Sequence, residues 1–182
     1  MFTEWSDPLP RGPVVLTLGV FDGVHRGHQA LLAAARSWAD RQRLPLVAVT
    51  FDPHPRHFFQ GADAVALIQT LPDRVAKLRA CGADRVVAIR FTEAVANSSA
   101  GDFIDELCAH VTPALMCVGD DFRFGRERCG GVSALRRIGR ERGFEVYRMP
   151  QVVQGGRRIS STRVRELLAA DNSEAAAELL MA

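Results

Sequence analysis

The sequence lacks the features that mark several large classes of protein. Its longest apolar runs are as long as a strand, well short of the roughly 20 residues of a membrane helix. Residues 1–13 include acidic side chains and no long apolar core, so they do not resemble a signal peptide. Four scattered cysteines form no C-x-x-C pair, which argues against a disulfide framework or a zinc site. These absences predict a cytoplasmic protein.

The sequence also has no large excess of positive or negative side chains. The chain of 182 residues has 23 basic and 21 acidic side chains, a net charge of +2. This balance gives no reason to expect nucleic acid or a membrane surface as a partner, and it says nothing about oligomeric state. Lys77 is the only lysine, and all other basic residues are arginines. Arginine suits planar recognition of phosphate, but only a few of these residues can have that role.

Short apolar runs alternate with helix-length segments along the chain. The runs are rich in Val, Ile, Leu and Ala and lie at 14–18, 46–50, 85–89, 114–118 and 144–147. Nearly continuous apolar runs are typical of parallel strands that are covered on both faces. Helical periodicity marks 31–39, 72–82 and 135–143, and the last two end in glycine.

This alternation predicts an α/β fold with a doubly wound, mostly parallel sheet. We expect a single domain over 1–182. Residues 52–72 and 119–132 lack strong periodicity and are predicted to be loops or an excursion from the sheet. Ligands of such folds bind at the carboxyl ends of the strands, and four motifs follow predicted strands or open a helix there.

The first motif is GVFDGVHRGH at 19–28, between the first strand and the first helix. Its three glycines allow the backbone to turn or to approach a ligand closely. His25 and His28 are three residues apart, so they share one face of a helix start whose N–H groups attract anions. The pattern favours polyphosphate binding. The alternatives are helix capping and a metal site, for which Asp22 alone does not complete a ligand set.

The second motif is FDPHP at 51–55, followed by Phe58 and Phe59. Two prolines stiffen the backbone into an extended segment. Stiff backbone with aromatic side chains could form the wall of a site for a flat ring system. A rigid turn with aromatic core residues would give the same pattern.

The third motif is GDDFRFGR at 119–126, after the fourth strand. It combines acidic, aromatic and basic side chains between two glycines. An ordinary acidic turn is the plain interpretation, but such a turn rarely contains two phenylalanines. We therefore favour a functional loop.

The fourth motif is ISSTRVR at 159–165, before an apolar-periodic run. One hydroxyl would suffice for an N-cap, and the motif has three together with two arginines. A helix start of this composition suits a phosphate chain. Helical geometry brings Arg165 back to the face of the hydroxyls, while Arg163 is expected to be a solvated surface charge. No Walker lysine motif is present.

Together the four motifs resemble the FMN adenylyltransferase (FAD synthetase) domain of bacterial bifunctional riboflavin kinase/FAD synthetases. The resemblance extends over about 14–170 and is specific in order and spacing. It implies a Rossmann-like nucleotidyltransferase fold and the reaction of FMN with ATP and Mg²⁺ to give FAD and pyrophosphate. Relatives continue into a riboflavin kinase domain, which this sequence does not contain, so no kinase activity is expected.

The resemblance also implies a role for individual residues. The catalytic residues would be His25, His28 and Arg165. The ATP site would comprise Gly19, Val20, Phe21, Asp22, His25, His28, Gly119, Asp121, Ser160, Ser161, Thr162 and Arg165, with Asp121 near the phosphates and the metal. The flavin site would comprise Phe51, Pro53, His54, Pro55, Phe59, Phe122 and Phe124. No metal ligands are assigned.

The implied reaction does not require a general base to activate the nucleophile. A phosphate monoester has a second pKa of about 6 and is mostly dianionic at neutral pH. The obstacle is repulsion between two anionic phosphates, so a site must supply donors and positive charge. Two alternatives remain open: transfer to another phosphate monoester, such as a pantetheine or glycerol phosphate, and a non-catalytic flavin or nucleotide sensor.

Overall fold

A computed structural model describes residues 9–181, and a five-stranded sheet forms its centre. The strands are β1 (Pro13–Leu18), β2 (Leu46–Asp52), β3 (Arg85–Arg90), β4 (Thr112–Gly119) and β5 (Glu145–Met149). Their order in the sheet is β3-β2-β1-β4-β5, and every pairing is parallel. Each predicted run coincides with one strand, which confirms the predicted fold class. Residues 1–8, on which the signal-peptide prediction largely rests, lie outside the described part of the chain.

Helices connect the strands and follow them. They are α1 (Arg26–Gln42), α2 (Pro55–Gln60), α3 (Leu71–Ala80), α4 (Glu93–Asn97), α5 (Ala100–His110), α6 (Val132–Arg142), α7 (Ser161–Ala169) and α8 (Ser173–Leu180). The three predicted helical segments lie in α1, α3 and α6. Gly143 ends α6 in the left-handed conformation, with φ of 81°, as predicted for a glycine stop.

The two faces of the sheet are covered by different helices. Alternate strand residues face opposite sides: Leu16 and Leu18 pack with α5 and α6, while Val15 packs with α1 and Leu78 of α3. Burial on both sides explains why the strands are apolar at nearly every position. Helices therefore cover both faces of the described sheet and keep them from solvent. A ligand site can form only at the edges, and we expect it among the loops of the carboxyl edge.

One predicted loop contains regular structure. The 52–72 segment includes α2 and a short 3₁₀ turn at Ala62–Ala64. Pro55 occupies the first turn of α2, and His54 Nδ1 accepts a hydrogen bond from the Arg56 backbone N–H at 3.0 Å. A proline at a helix start after a capping side chain explains this helix, whose six residues are too few to show a periodicity. The predicted 119–132 segment is largely a loop, but it contains a 3₁₀ turn at Arg126–Arg128, and its last residue, Val132, begins α6.

The C-terminal part forms a small unit that is separate from the five-stranded sheet. A two-stranded antiparallel hairpin of β6 (Val153–Gln154) and β7 (Arg157–Arg158) leads into α7, and α7 packs on α8 through Val164 and Leu179. Among residues 9–181, no helix combines the length and apolar character needed to cross a membrane.

Candidate active site

A cavity of about 390 Å³ opens at the carboxyl edge of the sheet, where β1 and β4 lie side by side. Connections from β1 lead towards β2 and those from β4 towards β5, so the cavity occupies the topological switch point of the sheet. Predicted site residues that line it are Gly19, Val20, Phe21, His25, His28, Phe51, Gly119, Asp121, Phe122, Ser160, Ser161 and Thr162. Motifs far apart in the sequence therefore meet in one place.

The loop between β1 and α1 is held in an unusual backbone conformation. Phe21 and Val24 have positive φ angles of 54° and 39° although neither is glycine. Both side chains are almost fully buried. Left-handed backbone at such residues costs roughly 1–3 kcal/mol, which their burial offsets. Gly23 has φ of 88°, and an added Cβ there would lie 3.0 Å from the end of the Ile68 side chain, which would have to shift. Positive φ angles and burial thus define the conformation of this loop.

Two histidines stand together where this loop enters α1. His25 caps the helix, and its Nδ1 accepts a hydrogen bond from the His28 backbone N–H at 3.3 Å. This bond leaves the ring proton of His25 on Nε2. The two rings stack with centroids 3.7 Å apart and an interplanar angle of 13°. His28 Nδ1 is buried without a hydrogen-bond partner among the described residues.

Both imidazoles are neutral at pH 7. Burial lowers the pKa of His25 to about 4. Burial also lowers the pKa of His28 well below its usual value, and the adjacent His25 and the Arg158 charge lower it further. Neutral rings can stack at 3.7 Å without repulsion. They therefore serve as hydrogen-bond donors at a helix N-terminus, and a bound polyphosphate would favour their protonation.

The N-terminus of α7 lines the same cavity. Ser160 caps this helix, because its Oγ accepts a hydrogen bond from the Arg163 N–H at 3.2 Å. Ser161 Oγ donates to the Asp22 carbonyl at 2.8 Å and so ties α7 to the first loop. Thr162 is exposed at the cavity. The plain capping interpretation is thus correct for Ser160, and two helix N-termini flank one space.

Three arginines at the cavity were not assigned from the sequence. They are Arg123, Arg128 and Arg158. Arg158 pairs with Asp121 across the opening, and Asp120 pairs with Arg148 at 3.1 Å. The signal for Arg158 lies in the sequence VQGGRR, since two glycines between short flanking runs are typical of a hairpin turn. Recognising that hairpin would have predicted an arginine beside the fourth motif.

Asp22 and Arg165 face away from the cavity lining. Arg165 Nη2 donates to the Asp22 carboxylate at 2.5 Å, and its Nε donates to the Ala66 carbonyl at 2.8 Å. The same carboxylate accepts the Ile68 N–H at 3.1 Å. This network joins the first loop, α7 and the segment before α3. The Arg165 guanidinium thus has protein partners, and the geometry lends no support to a phosphate contact.

The expectation for Arg163 is wrong. Its Nη1 donates to the backbone carbonyls of Gln154 and Arg157, each at 2.9 Å. The side chain is half-buried beneath the β6–β7 hairpin rather than free in solvent. Helical geometry placed it correctly away from the Arg165 face, but a sequence does not show that a hairpin packs on that other face.

The predicted flavin residues divide into two groups. Phe51 and Phe122 line the cavity, while Pro53, His54, Pro55, Phe59 and Phe124 do not. Phe124 is 7% exposed and stacks on Phe122 in the core. Phe59 is 65% exposed and contacts Phe91, which in turn contacts Phe51. We name the exposed surface of Phe58, Phe59 and Phe91 the aromatic ledge, and it lies one ring beyond the cavity.

The cavity has a modest set of metal-binding groups. Asp120 and Asp121 provide carboxylates, and no group of three or more His, Cys, Asp or Glu side chains is arranged for a metal ion within 9–181. Mg²⁺ commonly binds through one or two carboxylates and the phosphates of its substrate. These residues therefore fit an ion that arrives bound to a phosphate-containing substrate.

The family model described as FAD synthetase matches residues 9–163. The bifunctional riboflavin kinase/FMN adenylyltransferase of Escherichia coli (strain K12) is 40% identical over 172 residues, which cover 94% of this chain and 55% of that protein. The protein of the same name from Pseudomonas fluorescens is 40% identical over 167 residues, covering 91% and 53%. The chain thus spans about half the length of these curated relatives.

A solved structure has the same fold over nearly the whole chain. It is described as a macrolide-efflux protein from Streptococcus pneumoniae and superimposes with a TM-score of 0.87 at 28% identity, covering 96% of this chain and 57% of that one. The chain thus has a known fold. With the family model matching most of its length, the chain belongs to the FAD synthetase family.

Proposed function

We propose that this protein is an FMN adenylyltransferase, which transfers AMP from MgATP to FMN and releases pyrophosphate. The observation that carries this proposal is the convergence of two helix N-termini, of α1 and α7, on one cavity that also contains a neutral histidine pair and three arginines. Such a site is suited to a triphosphate that must be held while its α-phosphorus is attacked.

The proposed reaction is an in-line displacement at phosphorus. A terminal phosphate oxygen of FMN attacks the α-phosphorus of ATP, and a new P–O–P bond forms. The bond between the α-phosphorus and the oxygen that leads to the β-phosphate breaks, and its electron pair leaves with pyrophosphate. The attacking phosphate is already mostly dianionic at neutral pH, so no proton has to be removed first. The protein therefore works by positioning and by charge stabilisation.

His25 and His28 would stabilise the charge that develops on the phosphates. The Nε2–H of His25 can donate, because the Nδ1 of this ring already accepts the His28 N–H. Arg158 would exchange its partner Asp121 for a phosphate oxygen when ATP binds, which frees the Asp121 carboxylate for the Mg²⁺ that accompanies ATP. The site would thus rearrange one ion pair and otherwise keep its geometry.

The flavin ring would pack on the aromatic ledge. Phe58 and Phe59 are 37% and 65% exposed, and a flat ring system gains free energy by covering such surface. Contacts from Phe91 to Phe51 connect the ledge with the cavity. FMN could therefore place its ring on the ledge and its phosphate near the bound ATP.

The proposal is tested with purified protein, MgATP and a panel of phosphate monoesters. FMN, pantetheine phosphate and glycerol phosphate are compared by pyrophosphate release, and products are identified by chromatography. We expect FAD from FMN at a rate far above that of the other two. A preference for another monoester would favour a different nucleotidyltransferase, and ATP binding without pyrophosphate release would favour a sensor.

Riboflavin with MgATP is a further arm of the same assay. We expect no FMN from it, because the site motifs all belong to adenylyl transfer. Clear production of FMN would show that the chain also carries a kinase. A single adenylyltransferase domain and a cytoplasmic location stay predictions.

A further inference from the structure

The largest side chain that is fully buried in the described structure is a cation. Arg74 lies in α3 and is 1% exposed. Taking a guanidinium out of water is unfavourable, and burial accordingly lowers the pKa of Arg74, although the charges of Asp22 and Asp52 oppose the shift. An apolar residue of similar volume would fill the same space without that penalty. Packing alone therefore does not explain why an arginine occupies position 74.

The three hydrogen bonds from this side chain to described residues all start from one nitrogen atom. Arg74 Nη1 donates to the Val20 carbonyl at 3.1 Å, to Thr50 Oγ1 at 3.1 Å and to the Phe51 carbonyl at 3.0 Å. Thr50 Oγ1 also donates to the Val20 carbonyl at 2.8 Å. Arg74 Nε is buried without a hydrogen-bond partner among the described residues.

The two carbonyls belong to opposite sides of the candidate active site. Val20 lies in the loop after β1, five residues before His25, and Phe51 lies near the end of β2 and is the first residue of the second motif. Both residues line the cavity. A single guanidinium nitrogen thus joins the backbone of the expected ATP side to the backbone of the expected flavin side.

The charge of Arg74 also acts on His28. Burial is the main cause of the lowered pKa of His28, and the positive charge of Arg74 adds to it. A cation beneath the loop at 19–28 attracts a polyphosphate above that loop, and the attraction is strong where water is excluded. The Arg74 side chain therefore acts both on the backbone geometry of the site and on its electrostatic potential.

We propose that Arg74 is a positioning residue of the adenylyl transfer, which fixes the loop after β1 and the end of β2 in one geometry so that the two substrates meet in line. This inference rests on the proposed function. It adds a residue that belongs to none of the four sequence motifs and that touches neither substrate. A misplacement of about 1 Å can reduce a reaction rate by about 100-fold, so such a support affects turnover strongly.

The hydrogen-bond geometry predicts which replacement restores function. The two protons of Nη1 serve three acceptors, whereas the ammonium group of lysine carries three protons. Arg74→Lys also replaces the unpartnered Nε with a methylene group. The lysine stem is one atom shorter, so the contacts should be recovered in large part. Arg74→Met fills the space but provides no donor.

The test compares these two variants with a destabilised control, using steady-state kinetics for both substrates and thermal unfolding. Leu107→Ala is the control, because Leu107 is fully buried at the end of α5, near the start of β4 and opposite the cavity. We expect Arg74→Met to lower kcat by about 100-fold with a smaller change in either KM. Arg74→Lys should return kcat to within about 10-fold of the unchanged protein. Leu107→Ala should lower the Tm and keep its kcat at temperatures below unfolding.

Three results would overturn the inference: equal kcat losses in Arg74→Met and Leu107→Ala, equal losses in Arg74→Met and Arg74→Lys, or an unchanged kcat in Arg74→Met. If Arg74→Met does not fold, Thr50→Val decides, since it keeps the shape and removes one link to the Val20 carbonyl. A kcat lowered by about 10-fold supports the inference, and an unchanged kcat overturns it. If the unchanged protein makes no FAD, the proposed function itself fails.

Discussion

The two sides of the candidate site are built on different principles. On the phosphate side, the loop at 19–28 is buried, has positive φ at Phe21 and Val24, and is joined to α7 through Asp22. On the flavin side, Phe58 and Phe59 of the aromatic ledge are exposed, and their rings contact each other and the partly buried Phe91. Phosphate recognition needs donors fixed before binding, because a displaced donor loses most of its effect. A flat ring needs only apolar area, which a looser surface can supply.

The two sides also differ in their charge: the positive side chains of the cavity lie on the phosphate side. The histidines of the phosphate side are neutral and stacked, and the positive charge comes from arginines. Arg158 is paired with Asp121, and Arg123 donates to the Phe122 carbonyl at 2.9 Å. Mutations on the phosphate side should therefore act on turnover and ATP affinity, and those on the ledge should act on FMN affinity alone.

The largest expected effect is that of His28→Ala. Its imidazole lies at the start of α1 inside the cavity, where it can donate to the phosphate chain. Loss of a donor to the transition state costs about 2.7–4 kcal/mol, so kcat should fall by about 10²–10³-fold with little change in the Kd of FMN. His110→Ala, at the far end of α5, is the matched control and should keep its kcat. A normal turnover of His28→Ala would remove this histidine from the mechanism.

The next effect compares two adjacent arginines. Arg158 lines the cavity, whereas Arg157 points to Glu166 at 3.1 Å. Loss of a hydrogen bond from a charged group costs about 1.5–3 kcal/mol, so Arg158→Ala should raise the KM for ATP by about 10-fold to 100-fold. Arg157→Ala should stay close to the unchanged protein. Equal KM values for the two variants would show that the cavity arginine does not contact ATP.

A smaller effect concerns stability and pH. In the unfolded chain a histidine takes up a proton near pH 6.5, but burial lowers the pKa of folded His25 to about 4. The unfolded state therefore binds more protons between these values, and the folded protein loses stability as the pH falls. From pH 7 to pH 5 this histidine should account for a loss of about 2 kcal/mol in the free energy of unfolding.

His25→Asn isolates that contribution, because asparagine is also a good N-cap. Urea unfolding at pH 5, 6 and 7 should show a shallower pH dependence in the variant. Some slope should remain, since burial lowers the pKa of His54 to about 4 as well. An unchanged slope in His25→Asn would mean that the imidazole is not buried in the neutral form.

The smallest expected effect lies on the aromatic ledge. Phe59→Ala removes an exposed ring, and an aromatic contact contributes about 0.5–1.5 kcal/mol beyond its area. The KM for FMN should rise by about 5-fold, while the KM for ATP and kcat stay the same. Leu168→Ala, which removes an exposed apolar side chain from α7, should change none of the three. A loss of ATP affinity in Phe59→Ala would contradict the division into two sides.

The sequence predicted that the first, third and fourth motifs meet at one cavity, and there is a physical reason for this. Glycines, histidines and hydroxyls at helix starts follow strands directly, so the topology of a parallel sheet brings them to one edge. The sequence did not predict contacts that depend on how separate helices and loops pack together. The Asp22–Arg165 pair joins residues 143 positions apart, and Arg74 lies in a helix whose local pattern shows nothing unusual. Nor could the sequence show that Phe124 packs in the core while Phe59 stays exposed.

Label transfer from ATP shows directly whether the protein moves AMP to FMN. Two samples of MgATP, one labelled with radioactive phosphorus at the α position and one at the γ position, are incubated with FMN and the protein. We expect the α label in FAD and the γ label in pyrophosphate alone, with both products reduced to about 1% or less in His28→Ala. Label from the γ position in a flavin product, or no label in any flavin, would contradict this expectation.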